Sequence, residues 1–361
     1  MKFCNNNYIA KVILSLCLLF ASVSLLKADE GKSEEKGAFD LKEMLFSHVL
    51  DSYDWHLFTV GGHHYSIPLP VIVRSPERGW FVFSSSRLAH GENYEGFQIA
   101  HDGTYKGKIV ELSAVGEQNR PLDLSLTKNA ASICFASLLL IVLLVSLASG
   151  YKKDPFTPRR GFAGSVEMLT LSILNDVIKP CVGSEYRRFA PYLLTAFFFI
   201  FFNNLLGLIP IVPGGANVTG NISITFVLAL FTFVITNFFG SKEYWKEIFW
   251  PDVPLWLKAP LPIMPFIELL GIFTKPFALM IRLFANMLAG HIVILVLVGL
   301  IFIFSIMIGP VVAAGVSVVS VAFSIFMLLL DVLISFIQAY VFTMLSSIFI
   351  GMGRIQHHAS H

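Results

Sequence analysis

Residues 263–308 read IMPFIELLGIFTKPFALMIRLFANMLAGHIVILVLVGLIFIFSIMI. As one helix these 46 residues would be about 69 Å long at 1.5 Å per residue, against a bilayer hydrocarbon core of about 30 Å. A run of that length must lie strongly tilted or bend. Pro265 falls in the first turn and Pro276 can kink the early part, but nothing from Phe277 to Ile308 breaks a helix. A second long apolar run, 316–350, follows a short connection from Gly309-Pro310 to Gly315. The two runs predict a long, slanted helical hairpin.

Working outward, three shorter apolar segments precede the hairpin, near 130–149, 189–209 and 221–239. Residues 129–361 are therefore read as an all-α integral membrane domain of about five membrane helices. Composition agrees, since the 361-residue chain is 55% hydrophobic and only 14% charged, where a soluble globule carries about 25%. The charge is also segregated. Residues 29–128 hold 10 of the 26 Lys+Arg and 15 of the 24 Asp+Glu, half of all charge in just over a quarter of the chain. No basic cluster is interleaved with aromatics, so no nucleic-acid partner is expected.

Residues 1–28 read as a signal peptide: Lys2 and Lys11, an apolar run from Val12 to Leu26, and Ala28 before an acidic stretch. The alternative is a retained first membrane helix. Either way residues 29–128 form an exported, periplasmic polar domain. It starts with a short helix pattern, Phe39 to Leu50. Strand-like runs follow at Trp55–Val60, Tyr65–Val73, Trp80–Ser84 and Phe97–Ala100, which predicts a small, mostly-β module. It contains no cysteine and hence no disulfide. Its six histidines (His48, His56, His63, His64, His90, His101) match no familiar ligand spacing, so no metal and no cofactor is expected.

Basic residues set the orientation. Lys152, Lys153, Arg159, Arg160, Lys179, Arg187 and Arg188 crowd the connection 150–188, and Lys242, Lys246 and Lys258 the connection 240–262, whereas 210–220 and 309–315 have none. By the positive-inside rule the charged set is cytoplasmic, together with the C-terminus.

Ionisable residues within a membrane helix cost several kcal/mol on insertion scales, roughly 2.5–3.5 for Arg at the centre, so their positions are informative. On the long helix they are Glu268, Lys275, Arg282 and His291, with Asn286 between the last two. Glu268, Lys275 and Arg282 recur at seven-residue steps and define one slowly drifting stripe. Glu268 and Lys275 also suit a simple interfacial pair. Arg282 has no carboxylate three or four residues away, and its guanidinium keeps its proton. Its anion is Asp331 on the next helix, a lipid phosphate, or a carboxylate that another chain brings up transiently. Depth along the hairpin discriminates. Counted from a centre near Val312, His291 is 21 residues back and Asp331 19 forward, which predicts that these two pair. Arg282 is 30 back, level with the neighbourhood of Gln338 and Phe342. Nine residues separate Arg282 from His291, half a turn out of phase, so they point to opposite faces. Asp331, Ser335 and Gln338 share a stripe on the last helix. Asn203, Asn204, Asn217, Thr219, Asn221, Ser223 and Thr225 offer a wet path from the exported side, or each a helix cap or interhelical hydrogen bond. A His/carboxylate pair passes protons near neutral pH.

The run Ile281-Arg282-Leu283-Phe284-Ala285-Asn286-Met287-Leu288-Ala289-Gly290-His291 resembles the signature of subunit a of the F-type ATP synthase. Phe202–Pro210, Ala216–Asn221 and Gln338–Phe342 agree in order and spacing, and the resemblance covers about 129–356. It implies a non-catalytic, proton-translocating stator subunit in the bacterial inner membrane. Its partners would be the c-subunit ring, the b-subunit peripheral stalk and the rest of the ATP synthase holocomplex within the lipid bilayer. It also implies that Arg282 faces the ring carboxylates, and that Asn286, His291, Asp331 and Gln338 serve two offset half-channels. Many bacterial relatives carry Glu and His at the positions of His291 and Asp331. Here the two types are exchanged, as in mitochondrial members. The exported domain is outside the common core of that family. The alternatives are a secondary ion-coupled transporter, disfavoured because no repeat of broken helices is visible, and a receptor, which would need an output domain larger than the 39 residues of 150–188.

Overall fold

The computed structural model describes residues 51–60, 63–100, 104–112, 118–153, 161–209, 214–249, 263–307 and 310–354. The signal segment 1–28, the helix pattern Phe39 to Leu50, His48, His101 and Lys258 lie outside the described residues.

Alternation of buried and exposed side chains builds the first part of the chain into short antiparallel strands. β1 (Asp54–Val60) pairs with β2 (His63–Pro68). β3 (Pro70–Ser75) lies between β4 (Gly79–Ser84) and β8 (Leu122–Asp123), and β6 (Ile109–Leu112) between β5 (Phe97–Ile99) and β7 (Gln118–Asn119). The run expected as one strand from Tyr65 to Val73 is two strands that break at Leu69, beside Pro68 and Pro70, which have no N–H for a ladder. A small core of Tyr53, Val71, Val73, Phe83, Leu88, Phe97 and Ile109 closes the module. In it the Tyr53 hydroxyl donates to Asp123 Oδ2 at 2.5 Å. Burial, and then the Asp123 carboxylate, hold the Tyr53 phenol well above its ordinary range.

The rest is helical. α1 (Lys128–Lys153) leads directly out of the β module. α2 (Phe162–Ser172) continues through a π-helical turn at Ile173–Ile178 into α3 (Lys179–Val182), and Gly183, at φ +77°, ends that run in a conformation open to glycine. Then follow α4 (Tyr186–Leu208), α5 (Ile222–Phe238), α6 (Lys242–Phe249), α7 (Ile263–Met307) and α8 (Pro310–Met352). Among the described residues four stretches are long and apolar enough to cross a bilayer, Lys128–Lys152, Phe162–Leu208, Pro265–Ile301 and Gly315–Met352, and Ile222–Phe238 is a shorter apolar helix. The chain is thus a multi-pass membrane protein. α7 and α8, at 45 and 43 residues, are each about twice the hydrocarbon thickness, which requires a steep slant.

Residues 150–188, expected as a connecting loop, include a buried helical segment. Its apolar side chains Val166, Ile173, Val177, Ile178 and Val182 join the main core with Leu193, Phe197, Phe198, Leu279, Leu283, Ala339 and Phe342. Lys152 and Lys153 precede this segment, Arg187 and Arg188 follow it, and Lys179 lies within it at the start of α3. The hairpin packs on α4 and α5, through α8 and α7 respectively. At the end remote from the β module, Arg354 pairs with Glu185 and donates to Phe239 O at 2.9 Å, while Ser241 N donates to Gly353 O at 2.8 Å. These bonds tie the close of α8 to the start of α4 and the close of α5.

Candidate functional site

Leu279, Leu283 and Met287 recur every four residues and are buried, so they define the face by which α7 meets the bundle. Arg282 and Ala285 therefore turn outward, and both are exposed. Among the described residues Arg282 has no hydrogen bond and no ion pair. The surface around it is apolar or small: Phe277, Ala278, Ile281, Ala285 and Ala289 are all exposed. A permanent cation is thus presented on a face that otherwise suits lipid or another helix.

One turn further on, Asn286 reaches across the hairpin, and its Nδ2 donates to Gln338 Oε1 at 2.8 Å. Both residues line a small cavity together with Asn204, Met287, Gly290, His291, Asp331, Ile334 and Ser335, with room for about one water molecule. α4, α7 and α8 all contribute. Asp331, Ser335 and Gln338 share the buried face of α8, as the four- and three-residue steps predict. His291 and Asp331 come together in this cavity, yet no hydrogen bond or ion pair joins them among the described residues, so the pairing expected from depth alone is not a direct one. The reason is Gly290. A Cβ on Gly290 would stand 2.8 Å from Asp331 Oδ1 and 2.9 Å from Oδ2, so the carboxylate rests where a side chain would otherwise be. The His291 Nε2 faces α4 instead, 3.8 Å from the position of a Cβ on Gly207. Asp331 Oδ2 and Ser335 Oγ are buried without a hydrogen-bond partner among the described residues.

The polar residues of α4 and the segment after it divide. Asn204, rather than Asn203, reaches the cavity, held by a 2.5 Å bond that its Oδ1 accepts from the Thr219 hydroxyl. Asn203 donates back to Phe199 O at 2.8 Å, and its Oδ1 has no partner among the described residues. Asn217 accepts from Gly220 N at 2.9 Å, its Nδ2 having no partner among the described residues, while Asn221 caps α5 by accepting from Ser223 N at 3.0 Å.

A second polar cavity lies on the other side of Arg282 along α7. Thr232, Thr236, Asn237, Tyr244, Lys275 and Phe349 are among its lining residues. Lys275 makes no ion pair with Glu268. Its ammonium stands 5.8 Å from the centre of the Phe349 ring, a cation–π contact. Glu268 lies within electrostatic reach of Tyr244, whose phenol is pushed up by burial and then by that charge. Thr232, which also lines this cavity, bonds to the Tyr192 hydroxyl at 2.8 Å and to the Ser346 hydroxyl at 3.3 Å. Arg282 stands seven residues, about 10 Å, from Lys275 and nine residues, about 13 Å, from His291. A fixed positive charge therefore separates two polar cavities.

Residue chemistry does not single out Gly290, and it offers Asn204 only as one of several polar residues on a wet path. A glycine inside a helix costs about 1 kcal/mol relative to alanine, and that cost, next to a histidine, is the signal that marks a close approach.

A family model described as ATP synthase A chain matches residues 131–351, and one described as a domain of unknown function matches 44–128. The chain is 41% identical over 309 residues to ATP synthase subunit a 2 of Chlorobaculum tepidum, covering 81% of this chain and 82% of the relative. It is 45% identical over 249 residues to ATP synthase subunit a of Myxococcus xanthus, covering 66% and 77%, and 41% identical over 286 residues to that of Chlorobium phaeobacteroides, covering 75% and 79%.

Proposed function

The chain belongs to the ATP synthase A chain family as a subunit a, and from that membership we propose that Arg282 is the stator charge against which the carboxylates of a c-subunit ring turn. The carrying observation is its exposure without a partner on an apolar face, between two polar cavities. A guanidinium in that setting needs an anion from another chain. It keeps an approaching carboxylate ionised by opposite charge, and it bars protons from passing directly between the cavities.

In this reading the His291, Asp331, Asn286 and Gln338 cavity is the half-channel open toward the exported side, with Asn204, Asn217 and Thr219 on its approach. The Lys275 cavity belongs to the opposite half-channel. The orphaned oxygens of Asp331 and Ser335 support a water or proton in transit there. The chain breaks and makes no covalent bond of its own. The signal segment 1–28 directs residues 29–128 to the periplasm, the basic connections and the C-terminus lie in the cytoplasm, and a b-subunit stalk holds the chain against the ring.

The deciding experiment replaces Arg282 with Ala in the assembled ATP synthase in membrane vesicles. Loss of both gradient-driven ATP synthesis and ATP-driven proton pumping is expected. Retained coupling would overturn the stator assignment.

A further inference from the structure

The β module has no part in the site so far, yet Trp55 of β1 is bound to the segment that supports its wall. Trp55 is buried, and its indole N–H donates to Gly214 O at 3.1 Å. Gly214 begins the described segment that carries Asn217 and Thr219, and Thr219 holds Asn204 on the wall of the His291 cavity. The start of α1 is bound to the same part of the module. Asp51 Oδ1 accepts from Asn129 N at 3.0 Å, and Ser52 O accepts from Lys128 N at 2.9 Å. The Lys128 ammonium lies within electrostatic reach of His291, and Asp51 and Asp54 lie within reach of Lys128. Among the described residues, the charged or titratable groups facing His291 are therefore Lys128 from α1 and Asp331 from α8. α4 faces it with Asn204 and Gly207, neither of which ionises.

Resting on the stator reading above, we propose that the β module is the outer vestibule of the proton path. It clamps the 214–221 segment through Trp55 and sets, through Asp51, Asp54 and Lys128, the electrostatic potential at which protons arrive at His291. A lysine close to a proton-accepting imidazole repels the incoming charge, and the two carboxylates offset that repulsion. Removing the lysine charge therefore eases proton loading, and removing a carboxylate hinders it. The two changes act with opposite sign, which damage to packing would not do.

The test uses the intact ATP synthase in vesicles, with pH set separately on the two sides and ATP synthesis measured against pH on the side of the β module. Lys128→Gln leaves the backbone bond to Ser52 in place and is expected to move the midpoint to higher pH. Asp54→Asn is expected to move it to lower pH, each by about threefold in proton concentration. The dependence on pH at the opposite side stays unchanged. Trp55→Phe keeps an aromatic ring but loses the N–H donor, and is expected to slow proton uptake from that side several-fold. Shifts that are absent, or of the same sign, overturn the vestibule. If the Asp54 variant does not assemble, Lys128→Gln decides alone, and an unmoved midpoint overturns the inference. Arg282→Ala runs alongside, so that retained coupling there identifies failure of the stator reading instead.

Discussion

Asn286 and Gln338, 52 residues apart in the chain, meet across the hairpin in a 2.8 Å hydrogen bond one turn from Arg282. Each is 26 residues from Val312, so this bond marks the register in which α7 and α8 lie side by side. A polar pair between two apolar helices resists a slip of either one, because a shifted pair leaves two amides unsatisfied.

Asn286→Leu and Gln338→Leu are each expected to lower proton conduction at least several-fold and to loosen the hairpin by about 1 kcal/mol, with the double variant little worse than either single. Proton flux through vesicles bearing the assembled complex measures the first effect. Additive losses would show that the two residues act separately.

Gly290→Ala puts a methyl group where the Asp331 carboxylate rests, 2.8 Å from Oδ1. Overpacking of this kind costs roughly 1–3 kcal/mol, and displacement of Asp331 is expected to reduce conduction about tenfold or more. Combining Gly290→Ala with Asp331→Ser should relieve the crowding and restore assembly of the complex while conduction stays low. Assembly is read from the amount of chain recovered with the complex.

His291 and Asp331 share a cavity at one depth, so their chemistry should be partly exchangeable. His291→Asp and Asp331→His alone are expected to impair proton flow, and the double exchange to recover part of it. A double variant no better than the singles would refute the idea that depth matters more than which helix carries which group.

Tyr53 is held protonated by burial and by its bond to Asp123. Its phenol has a higher pKa folded than unfolded, so the folded state binds the proton more tightly. That stabilisation is complete below about pH 10, the ordinary tyrosine value, and is lost as pH rises above it. Tyr53→Phe should cost about 1 kcal/mol of stability at neutral pH and abolish this alkaline sensitivity. Alkaline titration of the full chain in detergent, followed by tyrosinate absorbance and thermal unfolding, checks both.

Much of the fold was legible in local pattern. The apolar run near 263–308 became α7 (Ile263–Met307), and that near 316–350 became α8, which however starts at Pro310 and so takes in the stretch 310–315 expected as a connection, because proline is tolerated in the first turn of a helix. The half-turn between Arg282 and His291 correctly put them on different faces, one exposed and the other in a cavity. The helical stretch from Phe162 to Val182 was hidden because Lys152, Lys153, Arg159 and Arg160 before it, and Arg187 and Arg188 after it, make the whole region read as a loop. Its apolar positions are also carried through a π turn, which breaks the 3.6-residue period.

Residue order and elementary helix geometry were enough to settle that this chain crosses a membrane, that it ends in an overlong hairpin, and that Arg282, His291 and Asp331 lie at stated depths and on stated faces. Rise and turn per residue are properties of a single helix, so they can be counted along it. Three things were decided only by the tertiary structure: that Asp331 rests on Gly290 rather than bonding to His291, that Asn204 rather than Asn203 reaches the cavity, and that Trp55 grips Gly214 from 159 residues away. Such contacts depend on how closely two elements approach and on which side chain is small enough to permit it. Neither quantity is written in the period of either element alone.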